Sequence, residues 1–376
     1  QTPGEPSFSL RDRDLRFSRL DRSDLHQADL TGADLRGASL IGTDLRGAWL
    51  QCSDIQQLLL SEDRVAANCT TARRAKFTRA RLDGARMTGA DLRGVRFEDA
   101  KLEGAELAYA LLQGANFSSA RLDKADLTGG VQAQGANFLM ANLQGADLTG
   151  ANLTGAVFSN ADMTGAVLSY ARLDAAGLAD AKLDGAALYR VSLRGADMGN
   201  ASIVGADLRE AKVWKTVPPK ADAESFADLT SIAITQLTEQ DVKELKASAD
   251  RILGRRTRAR TTDALAPLIN LAEVAKWSSS SDHWTWRSLA SAGGQTYPDL
   301  YKPRITDYLV RLQCRPRWSN GAVATGIARR AQRPEFQGDL ITVYDRLTDA
   351  SCPASKTVVP KVLRDLTAAA DIARGG

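Results

Sequence analysis

The chain has 376 residues, a formal net charge of +4 and two histidines. That length accommodates two domains. No apolar run approaches about 18 residues, which excludes a membrane-crossing helix in this sequence.

Residues 1–7 read as a leader. Gln1 is not an initiator methionine, so a removed segment is expected ahead of it, whether a signal, a membrane part or a start chosen in preparing the protein. From Phe8 the chain repeats every five residues. Large apolar side chains recur from Leu10 through Leu15 and Leu20 to Ile55. The first coil interleaves Arg11, Arg13, Arg16, Arg19 and Arg22 with Asp12, Asp14, Asp21 and Asp24. It reads as a solvated coil at the end of a rod, or as a basic collar near anionic lipid.

Residues 58–76 lack the motif and carry Leu58-Leu59-Leu60. They read as a loop or short helix bulging from one coil. The frame resumes two residues later at Phe77 and runs every fifth residue to Leu127. The start of this second run carries Arg73, Arg74, Lys76, Arg79, Arg81 and Arg86, a solvated face or a surface for an acidic partner. A one-residue slip at 129–135 reads as a bulge at a corner. The third run extends from Phe138 to Val213, with Ala two residues before nearly every large side chain.

A period of five is neither helical nor strand-like. It fits a solenoid whose units bury their apolar residues by stacking on neighbours. The large residue and the Ala point to the axis, and the other three face water. Gly in the last place suits a turn. Ala-Asp-Leu-Thr-Gly and its variants resemble the pentapeptide-repeat family. The resemblance implies a right-handed quadrilateral β-helix with four pentapeptides per coil. Counting Leu60 gives 38 inward positions, or about 9.5 coils and a rod of about 45 Å at strand spacing.

Outward positions 20 apart share a face. Val167 and Tyr170 then lie beside Ala187 and Tyr189, and Leu139 and Met140 beside Val157 and Ala179. These patches are the candidate interaction surface, either covered by the C-terminal domain or open to a partner.

Trp214 and Val217-Pro218-Pro219 end the repeat. Residues 214–237 read as a capping linker that covers the open end of the rod, with Trp214 and Phe226 against the coils of Met198 and Leu208. Residues 238–376 read as an α-helical domain. Its expected helices start at Thr238 (Val242, Leu245, Ile252, Leu253), at about 263–277, at 283–292 and at Pro303 (Ile305, Tyr308, Leu309, Leu312). Others follow at 321–332, around Leu340, Val343, Tyr344 and Leu347, and at 359–372. Residues 1–210 hold 24 Lys and Arg against 27 Asp and Glu, and the remainder 25 against 18. Arg255, Arg256, Arg258 and Arg260 form a basic linker without interleaved aromatics, which argues against nucleic acid as a partner.

Four cysteines allow three pairings. The local one joins Cys52 to Cys69 and Cys314 to Cys352, and implies an oxidising compartment; four free thiols are the alternative. No phosphate-binding glycine loop, metal spacing or convergent acid pair appears, so no catalytic site, metal or cofactor is expected. His283 follows Ser281 and Asp282, but a triad is a matter of geometry rather than sequence adjacency.

Repeats followed by a helical region resemble bacterial membrane-anchored pentapeptide proteins. That resemblance implies a periplasmic or membrane-adjacent body, with a cytoplasmic location as the alternative. A second branch of the family protects DNA gyrase through a strongly acidic, DNA-mimicking rod, and this near-neutral rod departs from it. The reading is a non-enzymatic interaction or scaffold protein with another protein as partner. A topoisomerase-binding DNA mimic is the alternative.

Overall fold

The computed structural model describes residues 6–219, 227–229, 231–234, 238, 240, 243–244, 246–247, 259, 281–290 and 298–375. Phe226, Val242, Leu245, Ile252, Leu253, the 263–277 segment and Arg255, Arg256, Arg258 and Arg260 lie outside them, and with them the expectations placed there.

The repeat unit follows from its own chemistry. In Leu143-Gln144-Gly145-Ala146 the Ala146 N–H donates to the Leu143 carbonyl at 3.0 Å, closing a turn. The third residue of that turn has φ near +62°, which selects Gly. The Asn or Asp before each Leu serves the same turn. The side chains of Asn142, Asp147 and Asp162 each accept from the N–H two residues on, at 3.1 Å. Leu143 then donates to Asp162 O of the next coil at 2.7 Å. Local turn and stacking bond are thus satisfied by the same five residues, which is why the motif can repeat.

Parallel bridges at a spacing of 20 define four faces. Face one carries Phe138, face two Leu143, face three Leu148 and face four Leu153 on its inner side. On face three the ladder runs from strand β1 (Phe8–Ser9) and strand β2 (Ala28–Asp29) to Asp228. The axis is filled by Leu and Ala with no solvent exposure over most of its length, each Leu contributing about 1.5–3 kcal/mol by burial. On face one Phe77, Phe97, Phe117, Phe138 and Phe158 stack with ring centroids 4.8–5.2 Å apart. The identical rise per coil brings each ring over the last.

Three sequence expectations change. The insertion spans Cys52 to Cys69 rather than 58–76, and the coil resumes with Thr70 and Ala72. Ile55 begins helix α1 (Ile55–Ser61) instead of entering the axis, and Leu60 is 84% exposed. Asp54 caps α1 by accepting from the Gln57 N–H at 2.8 Å. At the second slip Ala133 takes the inward place. Small Ala72 and Ala133 fill positions where only large side chains had been counted.

The described C-terminal elements are α2 (Ser281–Ala290), α3 (Pro298–Gln313), α4 (Ala322–Ala331), α5 (Leu340–Thr348) and α6 (Pro360–Gly375). Helix α3 starts at Pro298 rather than Pro303. Its Leu309 and Leu312 pack with Val323 and Ile327 of α4, Val343 and Leu347 of α5, and Leu366 of α6. Among the described residues, α3 and α4 pack along the side of the rod and not on its end. Helix α2 reaches the rod's core there, inserting fully buried Trp286, whose Nε1–H donates to Thr216 O at 2.9 Å. Trp214 is buried in the same core as Met198 and Leu208.

Helices α3 and α4 and the 3-10 turn Pro334–Asp339 instead lie along the corner between faces two and three. Turn glycines Gly145, Gly165, Gly185 and Gly205 form a groove there. Ala322, Val323, Leu309, Leu312 and Tyr308 fill it. Gly326 of α4 faces Gly145 and Gly165 so closely that a Cβ on it would meet Gly165 O at 1.9 Å. Arg329 donates to Gly145 O at 2.8 Å and Lys124 O at 3.2 Å. Arg333 donates to Thr149 Oγ1 at 2.6 Å and pairs with Asp147 at 3.1 Å.

Candidate functional site

Face four carries two outward columns. Before each inward residue stand Asp14, Asp34, Thr71 and Asp91, bridged in that order. Two residues after each stand Arg16, Arg36, Arg73 and Arg93, stacked through Phe17 N–H to Arg36 O, Gly37 N–H to Arg73 O and Arg74 N–H to Arg93 O. Adjacent guanidiniums are therefore one coil apart, about 4.8 Å along the axis. Like charges this close need neutralising, and the Asp column supplies it. Arg16 pairs with Asp14 at 2.5 Å, Arg36 with Asp34, and Arg93 with Asp91 at 2.6 Å.

The third rung breaks the rule. Thr71 stands where an Asp would neutralise Arg73, so Arg73 reaches across to Asp91 with its Nε at 2.6 Å. Asp91 thus serves two arginines. It is 3% exposed, and burial pushes its carboxyl above the usual range against the pull of Arg73.

The insertion folds over this face. The Cys52–Cys69 disulfide closes its base, and Leu58 packs with both cysteines and Tyr109. Arg64 donates to Tyr109 O at 2.7 Å, and Asn68 Nδ2 to Asp12 Oδ1 at 2.8 Å. Between the insertion and face four lies a cleft of about 940 Å³. Arg36, Arg64, Arg73, Arg93, Asp34, Asp91 and Gln113 are among the residues that line it. Burial lowers the basicity of Arg64, and its Nε has no hydrogen-bond partner. Buried Gln113 also leaves its Oε1 unpartnered. Sequence reading did not find this cleft. The one signal was Thr71 in an Asp column, visible only once the coil is known to resume at Thr70.

The sequence-derived patches separate. Val167 and Ala187 are fully buried under Phe336 of the C-terminal domain, with Tyr189 packed beside them. Tyr189 meets Tyr170 edge-on at 5.5 Å and Phe336 at 6.4 Å. Burial and its hydrogen bond to Glu210 raise the Tyr189 phenol above its usual range. Tyr170 stays 44% exposed. Leu139 and Met140, at the corner of faces one and two, are 37% and 62% exposed. Cys314 is bonded to Cys352, tying the end of α3 to the turn after α5. His283 lies on α2 with Trp284 edge-on at 6.2 Å, and burial lowers its pKa. Among the described residues no group of three or more His, Cys, Asp or Glu is placed to hold a metal. No described helix is long and apolar enough to cross a membrane.

A sequence model of pentapeptide repeats matches eight copies in this chain, over residues 10–54, 68–94, 96–131, 141–178 and 171–210. The gap between the first two segments is the insertion. Among solved structures, the chain is similar to HetL, a pentapeptide repeat protein involved in heterocyst differentiation regulation from the cyanobacterium Nostoc. The identity is 30%, covering 62% of this chain and 88% of that one, with a TM-score of 0.28. It is 28% identical to a pentapeptide repeat protein from the Arabidopsis thaliana thylakoid lumen, covering 40% of this chain and 87% of that one at a TM-score of 0.19. Full-length QnrB1, a plasmid-mediated fluoroquinolone resistance protein, is 19% identical, covering 65% and 97%, at a TM-score of 0.25. No curated protein matches the chain.

Proposed function

Since this chain belongs to the pentapeptide-repeat family, we propose that it is a non-enzymatic scaffold that binds another protein along its rod. One observation carries this reading. The helical domain fastens to the corner of faces two and three through Gly145, Gly165, Arg329 and Arg333. Among the described residues face one stays open, with Leu139 and Met140 exposed at its edge. A rigid rod with one corner occupied by its own domain presents face one in fixed register, and preorganised surface lowers the entropic cost of binding. The two disulfides support an oxidising compartment, and we place the protein in the periplasm or on a membrane facing it.

A DNA-mimicking topoisomerase binder is the alternative. It needs a continuous acidic face, whereas face four carries the Arg16, Arg36, Arg73 and Arg93 column.

A photo-crosslinking residue placed at Met140 in cells should capture one discrete protein, and the same residue at buried Ala187 should not. Equal or absent capture at both positions rejects the scaffold reading.

A further inference from the structure

We propose that the cleft between the insertion and face four binds a small, multiply charged oxyanion, bearing phosphate or carboxylate groups. This goes beyond the scaffold reading and does not depend on a protein partner. The argument begins with the rung at Thr71. On the other rungs of the column each guanidinium meets the Asp two residues before it, but Arg73 has only a share in Asp91. Arg73 spends its Nε on that carboxylate, leaving its two terminal amino groups without a hydrogen bond. A planar guanidinium with two unused amino groups is the shape that takes an oxyanion side-on.

The insertion adds a cation to the opposite wall. Arg64 holds one amino group to Tyr109 O, while its buried Nε has no partner. Four arginines thus face the cleft with Asp34, Asp91 and, at the rim, exposed Glu62. One positive charge is left over in a partly enclosed space, where charge is screened less than on an open surface. Gln113 supplies a separate indication of a ligand. It is 5% exposed, lines the cleft, and its amide oxygen is buried without a partner. A buried amide left unpaired is costly, and a bound anion with its hydroxyl or water would pair it. An amide turned by 180° would offer N–H groups to the anion directly.

The test is calorimetric titration of the full chain with inorganic phosphate and, separately, citrate at fixed ionic strength. One-to-one saturable binding of at least one probe is expected, and the stronger probe tells phosphate from carboxylate. Arg73→Gln and Arg64→Gln should each weaken it tenfold or more. Thr71→Asp restores the missing carboxylate and should abolish binding. The fold accommodates that change, because Asp14 already stacks on Asp34 and Asp126 on Asp147. Its melting temperature gives the control, and Arg73→Gln stands in if it fails to fold. Absence of binding by both probes, or binding that survives Thr71→Asp or Arg73→Gln in folded protein, overturns the proposal. Crosslinking at Met140 reads out the scaffold function independently, so either proposal can fail alone.

Discussion

Replacing Gly326 with Ala isolates what holds the helical domain to the rod. Gly326 lies inside α4 with ordinary helical geometry, so no positive φ complicates the change. In a free helix Ala is more favourable than Gly by about 1 kcal/mol. Here the added methyl would stand 1.9 Å from Gly165 O, 2.6 Å from Gly145 Cα and 2.9 Å from Gly165 C. All three are backbone atoms of the β-helix, fixed by stacking bonds such as Gly145 N–H to Thr164 O at 3.1 Å and Gly165 N–H to Asp184 O at 2.8 Å. They cannot swing aside as a side chain could. Helix α4 must therefore lift from the groove, at a cost of about 1–3 kcal/mol for overpacking. Lifting also stretches the bonds from Arg329 to Gly145 O and Lys124 O. Burial already disfavours the Arg329 charge, and a hydrogen bond to a charged group is worth about 1.5–3 kcal/mol. Setting the helix-propensity gain against these losses leaves a net destabilisation of about 1.5–5 kcal/mol. Thermal unfolding followed by circular dichroism reads the total, and hydrogen exchange across residues 322–331 locates it. A melting temperature equal to or above that of the parent would show that α4 is not seated on the glycine groove.

Two further outcomes follow from the helical domain. Joint replacement of Cys314 and Cys352 by Ser opens a loop with a sequence separation of 38. In the chain-entropy model this costs about 3–4 kcal/mol, so denaturant unfolding should shift to lower concentration for the C-terminal domain; an unchanged midpoint refutes it. Tyr308, packed against Gly205, has its phenol pushed up to about 12 from 10.0, chiefly by burial. The folded state therefore holds a proton that the unfolded chain releases near pH 10. The resulting stabilisation is complete below pH 10 and is lost as pH rises through about 12, amounting to roughly 2–3 kcal/mol. Stability profiles of parent and Tyr308→Phe that fall equally over that window would contradict this account.

Much of the rod was legible in the residues themselves. Each pentapeptide sets its own turn, commonly through Ala, Asp or Asn, and Gly, and on its inner side meets copies of itself one coil away. Local pattern and tertiary environment are therefore the same information. The inward roles of Phe138, Leu143, Leu148 and Leu153 could be read by counting. The stripes of α3 and α5 were equally plain, since Leu309 with Leu312 and Val343 with Leu347 each mark one helical face. The insertion was harder. Ile55 and Leu60 kept the five-residue spacing by coincidence, and Ala72 and Ala133 filled the axis without a large side chain to announce it.

What the sequence alone left undetermined is where unlike parts meet. Gly145, Gly165, Gly185 and Gly205 look the same as every other turn glycine, because the positive φ of the turn favours Gly whether or not a helix lies on it, although Tyr170 and Arg190 also adopt it. Only their alignment at one corner, with Gly326 and Arg329 brought from nearly two hundred residues away, makes them a docking groove. The same holds for Val167 and Ala187, which Phe336 covers, and for the cleft. Arg64 and Arg73 are close in sequence, but they face one another across a cavity because the Cys52–Cys69 bond folds the insertion back over face four. Repeating contacts are encoded in the repeat, whereas contacts between the repeat and everything else depend on which surfaces fit in three dimensions.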